Sequence, residues 1–160
     1  MRSSKPVIKY SLAVVLFFVF LDFYAQENSL PDTNGSFYAI SVKNLDKAVE
    51  WYATHLNFKI DSEAENDERK GVLMNRKGCI LELSEFNSAI DKKELRPDIE
   101  SHEIYGIFKI GFLTENIEQS FNILKDSGVE IFFPIVKLPN GKRTFGIKDL
   151  EGNTIQFFGK

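Results

Sequence analysis

The chain has 160 residues, 43% hydrophobic and 27% charged, which is enough apolar material for one core in one domain and too much for a disordered chain. A formal net charge of −3 with no basic tract excludes the electrostatic footprint of a nucleic-acid binder. The single cysteine, Cys79, excludes an intrachain disulfide and a cysteine-built zinc site, and a lone buried thiol is compatible with an oxidising compartment.

In chain order, Arg2, Lys5 and Lys9 precede an unbroken apolar run from Tyr10 to Leu21. Asp22 and Phe23-Tyr-Ala-Gln26 follow it. Positive, then apolar, then small is the pattern of a secretory signal peptide. The run is short of the ~20 residues that a spanning helix needs. The expectation is a signal at 1–25 cleaved near Ala25 or Gln26, a periplasmic or secreted protein, and no stable membrane span after cleavage. An uncleaved N-terminal anchor is the alternative. No cysteine closes the run, which excludes a bacterial lipoprotein anchor. Residues 26–35 are polar and turn-rich and read as a linker, leaving 36–160 as the domain.

That domain repeats itself. Phe37-Tyr-Ala-Ile-Ser-Val42 alternates as a strand, Asn44 stands as a helix cap, and Leu45, Ala48, Val49, Tyr52 and Leu56 recur at helical spacing. The same order returns 72 positions later: strand Lys109–Thr114, cap Asn116, and the stripe Ile117, Ser120, Phe121, Leu124. Gly128 then suits a left-handed helix end. Three strands follow each helix: Phe58–Ser62, Lys70–Asn75 and Gly78–Leu83 in the first half, and Val129–Phe133, Arg143–Lys148 and Gly152–Phe157 in the second. The charged, aperiodic stretch from Ser88 to His102 is the connection between the halves and is expected to be exposed.

Val42-Lys-Asn-Leu-Asp-Lys-Ala-Val-Glu-Trp-Tyr52 with Leu56-Asn-Phe58, and the closing Asp149-Leu-Glu-Gly-Asn-Thr-Ile-Gln156, resemble the opening helix and closing signature of the vicinal oxygen chelate (glyoxalase/bleomycin resistance/extradiol dioxygenase) superfamily. The resemblance spans essentially all of 36–160. It implies an α+β fold in which two βαβββ modules form an eight-stranded, cup-shaped mixed sheet with the helices outside. One module alone would leave an open edge and an uncovered face, so the duplication has a physical reason.

Alternation assigns the faces. Tyr38, Ile40, Val42, Leu81, Leu83, Phe108, Ile110, Phe112, Ile155 and Phe157 are expected under the helices. Phe37, Ala39, Ser41, Ile80, Glu82, Ser84, Lys109, Gly111, Leu113, Thr154, Gln156 and Phe158 are expected to line the cup. The resemblance implies metal ligands, typically two His and two Glu, on the first, fourth, fifth and eighth strands. Here those positions carry Phe37, Glu82, Lys109 and Gln156. Only Glu82 is a good ligand for a divalent ion, and Lys109 is a competing cation. No metal and no cofactor are therefore expected.

The candidate ligand-binding residues are Phe37, Glu82, Lys109, Arg143 and Gln156, with an ion pair expected between Glu82 and Lys109. That pair could hold a polar ligand, exchange a proton, or serve only as a structural bridge. Arg143, at the entry to the seventh strand, would suit an anionic group or be a solvated turn residue. Phe37, Phe145 and Phe158 could line a flat pocket or belong to the core, while Trp51 and Tyr52 belong to helix–sheet packing. His55 and His102 read as surface histidines. Phosphate-cradling loops, a nucleophile elbow and a His-Glu-x-x-His motif are absent from the sequence.

Three functions stay open: a metal-independent binder of a small, aromatic or anionic molecule; a metal-dependent lyase or dioxygenase of the superfamily; and a structural module, possible as a homodimer. The catalytic residues, if any, are not identified.

Overall fold

A computed structural model describes residues 35–91, 94, 98 and 106–159. The expected signal and linker, up to residue 34, lie outside the described residues, as does most of the connection between the halves, including His102. Among the described residues no helix is long and apolar enough to cross a membrane.

The elements are β1 (Ser36–Ser41), α1 (Leu45–Leu56), β2 (Lys59–Glu65), β3 (Arg69–Arg76), β4 (Cys79–Phe86), β5 (Lys109–Leu113), α2 (Ile117–Asp126), β6 (Ile131–Lys137), β7 (Arg143–Lys148) and β8 (Thr154–Gly159). The repeat is therefore real, with each half running strand, helix and three strands. Both helices start as the sequence requires. The Asn44 side chain accepts from the Lys47 amide and Asn116 from the Gln119 amide, each closing one of the open donors of a helix N-terminus. Asn57 ends α1 at φ 56° and Gly128 follows α2 at φ +82°.

Each half is a four-stranded mixed sheet, in the orders β1-β4-β3-β2 and β5-β8-β7-β6. β1 runs parallel to β4 and β5 parallel to β8, and the remaining neighbours are antiparallel. The two βαβββ modules and eight strands are as expected, and among the described strands hydrogen bonding divides them into one four-stranded sheet per module, with β1 and β5 both at edges.

What joins the halves is side-chain packing. Leu81, Leu83, Met74, Ile147, Ile155 and Phe145 are all at most 1% exposed and share one core with α1 and α2. An aromatic series crosses it: Tyr52, Phe58, Phe112, Phe157, Phe145 and Phe121, with successive ring centroids 4.8–6.2 Å apart. Mostly these are edge-to-face or tilted contacts, as ring quadrupoles favour. Five of the 15 phenylalanines lie in this series. Polar contacts add to it. Tyr52 Oη donates to Asp149 Oδ2 at 2.8 Å, and the Lys43 amide to Glu151 Oε1 at 3.0 Å.

His55 and Ser127, themselves 72 positions apart, meet at 3.0 Å between the C-terminal ends of the two helices. Ser127 donates its one proton to the Leu124 carbonyl, so His55 Nδ1 must be the donor to Ser127. His55 is thus a partly exposed histidine that also links the two helices.

Candidate functional site

The face of each sheet turned away from its helix, here the inner face, carries the positions that alternation assigned. Buried Leu81 and Leu83 lie under α1, while Ile80 stays 45% exposed on the other side. Phe37 is 57% and Leu113 86% exposed. Phe108 departs from expectation. It stands just before β5, is 45% exposed, and takes the Lys109 ammonium over its ring at 5.1 Å.

On the first sheet Glu82 has a different partner from the one expected. Arg69 Nη1 lies 2.5 Å from Glu82 Oε1 and also donates to Ser84 Oγ, which in turn donates to Glu82. Lys109 belongs to the other sheet and does not form this pair. Arg69 opens β3 opposite Phe86, with its guanidinium 5.7 Å over that ring. Between Arg69 and Leu73 on this face stands Gly71, opposite Ser84, so no side chain blocks the reach toward Glu82. Arg69 was missed in the sequence because it borders the acidic turn before β3.

The Arg69 hydrogen bond, and to a lesser degree that of Ser84, holds the Glu82 carboxyl below its ordinary range against a desolvation penalty. A lowered folded value means that Glu82 contributes stability above about pH 4.3, its unfolded range, and loses it as pH falls through the folded value. Melting temperature measured from pH 7 to pH 3 should therefore fall less steeply on the acid side for Glu82→Gln than for the parent. Parallel curves would remove Glu82 from the acid limb.

On the second sheet the site is built around Gln156, which is 6% exposed. Thr144 Oγ1 spends its only proton on the Phe157 carbonyl at 2.6 Å, so it must accept from Gln156. Only the amide nitrogen can donate, which fixes the carboxamide with Nε2 on Thr144 at 2.8 Å. Oε1 is then left buried, with no hydrogen-bond partner among the described residues.

Both cross-strand neighbours of Gln156 are glycines, Gly111 on β5 and Gly146 on β7. The Phe133 ring fills the space over Gly146 so closely that a Cβ there would overlap it. At Gly111 the backbone carbonyl of Gln156 would stand 3.1 Å from a Cβ, and the edge of the Phe158 ring lies farther out, its Cε2 at 3.9 Å. A bulge between Ile131 and Phe133 brings Phe132 next to Lys148, whose Nζ sits 4.3 Å over the ring and donates to Thr154 Oγ1 and the Gly152 carbonyl.

Arg143 does not join this face. It shares the side of β7 that carries Phe145 and pairs with Glu118 in the first turn of α2, with Nη2 2.9 Å from Oε2. Phe145 is likewise fully buried against Phe121 and Phe157 and lines no pocket. Hollows lie away from this face, at the N-terminus of α1 beside Lys43 and Glu151, and between α1 and β2 beside Val49 and Glu63.

The four ligand positions do not fit a divalent ion. Phe37 offers no donor atom, Glu82 is neutralised by Arg69, Lys109 is a cation, and Gln156 offers one neutral oxygen. Among the described residues no group of three or more His, Cys, Asp or Glu is placed to hold a metal.

A family model, "Glyoxalase/Bleomycin resistance protein/Dioxygenase superfamily", matches residues 36–157. Comparison with curated proteins returns no match. Among solved structures, a glyoxalase family protein from Enterococcus faecalis is similar with a TM-score of 0.64 at 19% identity, covering 81% of this chain and 98% of that one. A glyoxylase/bleomycin resistance protein/dioxygenase domain from Frankia sp. EAN1pec gives 0.63 at 18%, covering 81% and 98%. A glyoxalase family protein from Bacillus cereus gives 0.62 at 20%, covering 83% and 96%. At these identities the likeness speaks to the fold.

Proposed function

The chain belongs to the Glyoxalase/Bleomycin resistance protein/Dioxygenase superfamily, and on that premise we propose that it is an exported protein that holds a small organic molecule on the inner face of its sheets without a metal-dependent reaction. The observation that carries this reading is the buried, unpartnered Oε1 of Gln156. Burying an acceptor without a partner costs about 1–3 kcal/mol, a cost that a binding site recovers when its ligand arrives. Two further features support it. Arg69 supplies the positive charge beside Glu82 that a metal supplies elsewhere. Exposed Phe37, Ile80 and Leu113 give the inner face apolar contact area of the kind small-molecule sites use.

The test is a thermal-shift screen of EDTA-treated mature protein against small aromatic and acidic molecules. Some members should raise the melting temperature equally with and without added Zn²⁺ or Mn²⁺. One divalent ion bound per chain through Glu82, or stabilisation only in its presence, would overturn the reading in favour of a metal-dependent lyase or dioxygenase. Export is tested separately by intact mass. The mature chain should begin near Gln26, and a membrane-bound form retaining Met1 would contradict cleavage.

A further inference from the structure

We propose that Gln156 Oε1 is the recognition point for a flat molecule that presents an N–H or O–H on its edge and lies over Gly111, in the place the Phe158 ring takes here. The proposal rests on the inner-face binding reading and deepens it by naming the ligand's chemistry.

Three observations converge on it. The first is that the amide is not needed by its neighbours. Thr144 already donates to the Phe157 carbonyl, so an apolar side chain at 156 would strand no proton. Glutamine instead introduces a buried acceptor with nothing among the described residues to satisfy it. Stability alone favours the apolar residue, and a donor delivered from outside reverses that preference. Because the Thr144 bond fixes which end of the amide is free, the missing partner must be a donor.

The second is the pair of flanking glycines. A side chain at 111 or 146 would stand beside Gln156 on the same face, and neither position has one. The Gly146 side is closed by the tightly seated Phe133 ring. On the Gly111 side the backbone is exposed, and its cover, Phe158, is only partly buried. A planar ligand edge can rest where a phenyl ring already rests, exchanging one flat apolar contact for another while adding the hydrogen bond that phenyl cannot make.

The third is the rim. Lys109 and Leu113 lie two residues either side of Gly111 on the same exposed face. An acid group on the planar frame would find the Lys109 ammonium, and the frame itself would lie against Leu113.

The experiment compares indole-2-carboxylate with benzofuran-2-carboxylate, two flat acids that differ in one ring N–H. Binding to EDTA-treated protein is followed by NMR titration for the parent, Gln156→Met and Phe158→Ala. The indole acid should bind the parent about three- to tenfold more tightly than the benzofuran acid. Gln156→Met should erase that preference while keeping or raising the parent's melting temperature. Phe158→Ala, which removes the competing ring, should tighten the indole acid. Equal binding of the two acids, or a preference that survives Gln156→Met, would overturn the proposal while leaving the inner-face reading intact. So would failure of both acids against Phe158→Ala when other molecules stabilise the parent. A large loss of melting temperature in Gln156→Met would show that the amide serves the fold instead.

Discussion

Asp149→Ala is expected to destabilise the protein by about 3–5 kcal/mol, lowering the melting temperature by roughly 10–20 °C. One carboxylate there accepts four hydrogen bonds: from Tyr52 Oη, the Glu151 and Asn153 amides, and Asn153 Nδ2. Asp149 is 7% exposed and Tyr52 2%. Removing the acceptor therefore strands a buried phenol and frees the turn between β7 and β8. That turn also presents Glu151 to the chain entering α1, so the loss spreads from the second half to the first.

Urea melts separate the parts of this contact. Tyr52→Phe should cost less, about 1–2 kcal/mol, because Asp149 keeps three of its donors. It also changes the alkaline limb. Burial, then the charge and hydrogen bond of Asp149, push the Tyr52 phenol well above its ordinary range. With a raised folded value, the stability is fully present below about pH 10 and is lost as pH rises beyond it, because the unfolded chain ionises first. The parent should lose stability between pH 10 and 11 more steeply than Tyr52→Phe. Identical slopes would mean that the phenol is not held protonated by the fold.

Phe145→Ala is the second large effect, about 3–5 kcal/mol. Its ring is fully buried, stacked on Phe157 at 4.8 Å with 6° between planes, and meets Phe121 of α2 edge-on at 5.3 Å. Truncation opens a hole in the middle of the aromatic series, where neighbours are held by their own strands and cannot collapse inward. Phe145→Leu, which keeps most of the volume, should lose less than half as much. If alanine and leucine cost the same, the site relaxes freely and the series is not a rigid link between helix and sheet.

Much of this architecture was legible in the chain itself. The 72-residue offset placed both helices, both Asn caps and the succession of strands along the chain, because caps and periodicity are local. Alternation put Glu82, Lys109 and Gln156 on the strand faces opposite the residues that pack under the helices, as the registers have them. It failed where a residue sits at an element boundary. The strand expected from Lys70 begins one residue earlier, at Arg69, so the partner of Glu82 fell outside the expected elements and Lys109 was given its role. Arg143 shares the face of Phe145, two residues on in the strand Arg143–Lys148, so alternation alone would have put it under α2; its place at the strand entry drew the reading toward a ligand instead. The bond between Gln156 and Thr144 depends on the register of β7 against β8, and no local pattern encodes that. The edge positions of β1 and β5 are a matter of how the halves pack, which the repeat does not dictate.

The account turns on a molecule held on the inner face without a metal. Backbone-amide NMR of EDTA-treated protein, titrated with the screen member that stabilises it most, tests this directly. The shifts should concentrate at Gly111, Gly146, Gln156 and Phe158, with those of α1 and α2 unmoved. Shifts that cluster between α1 and β2, or that appear only after a divalent ion is added, would contradict it.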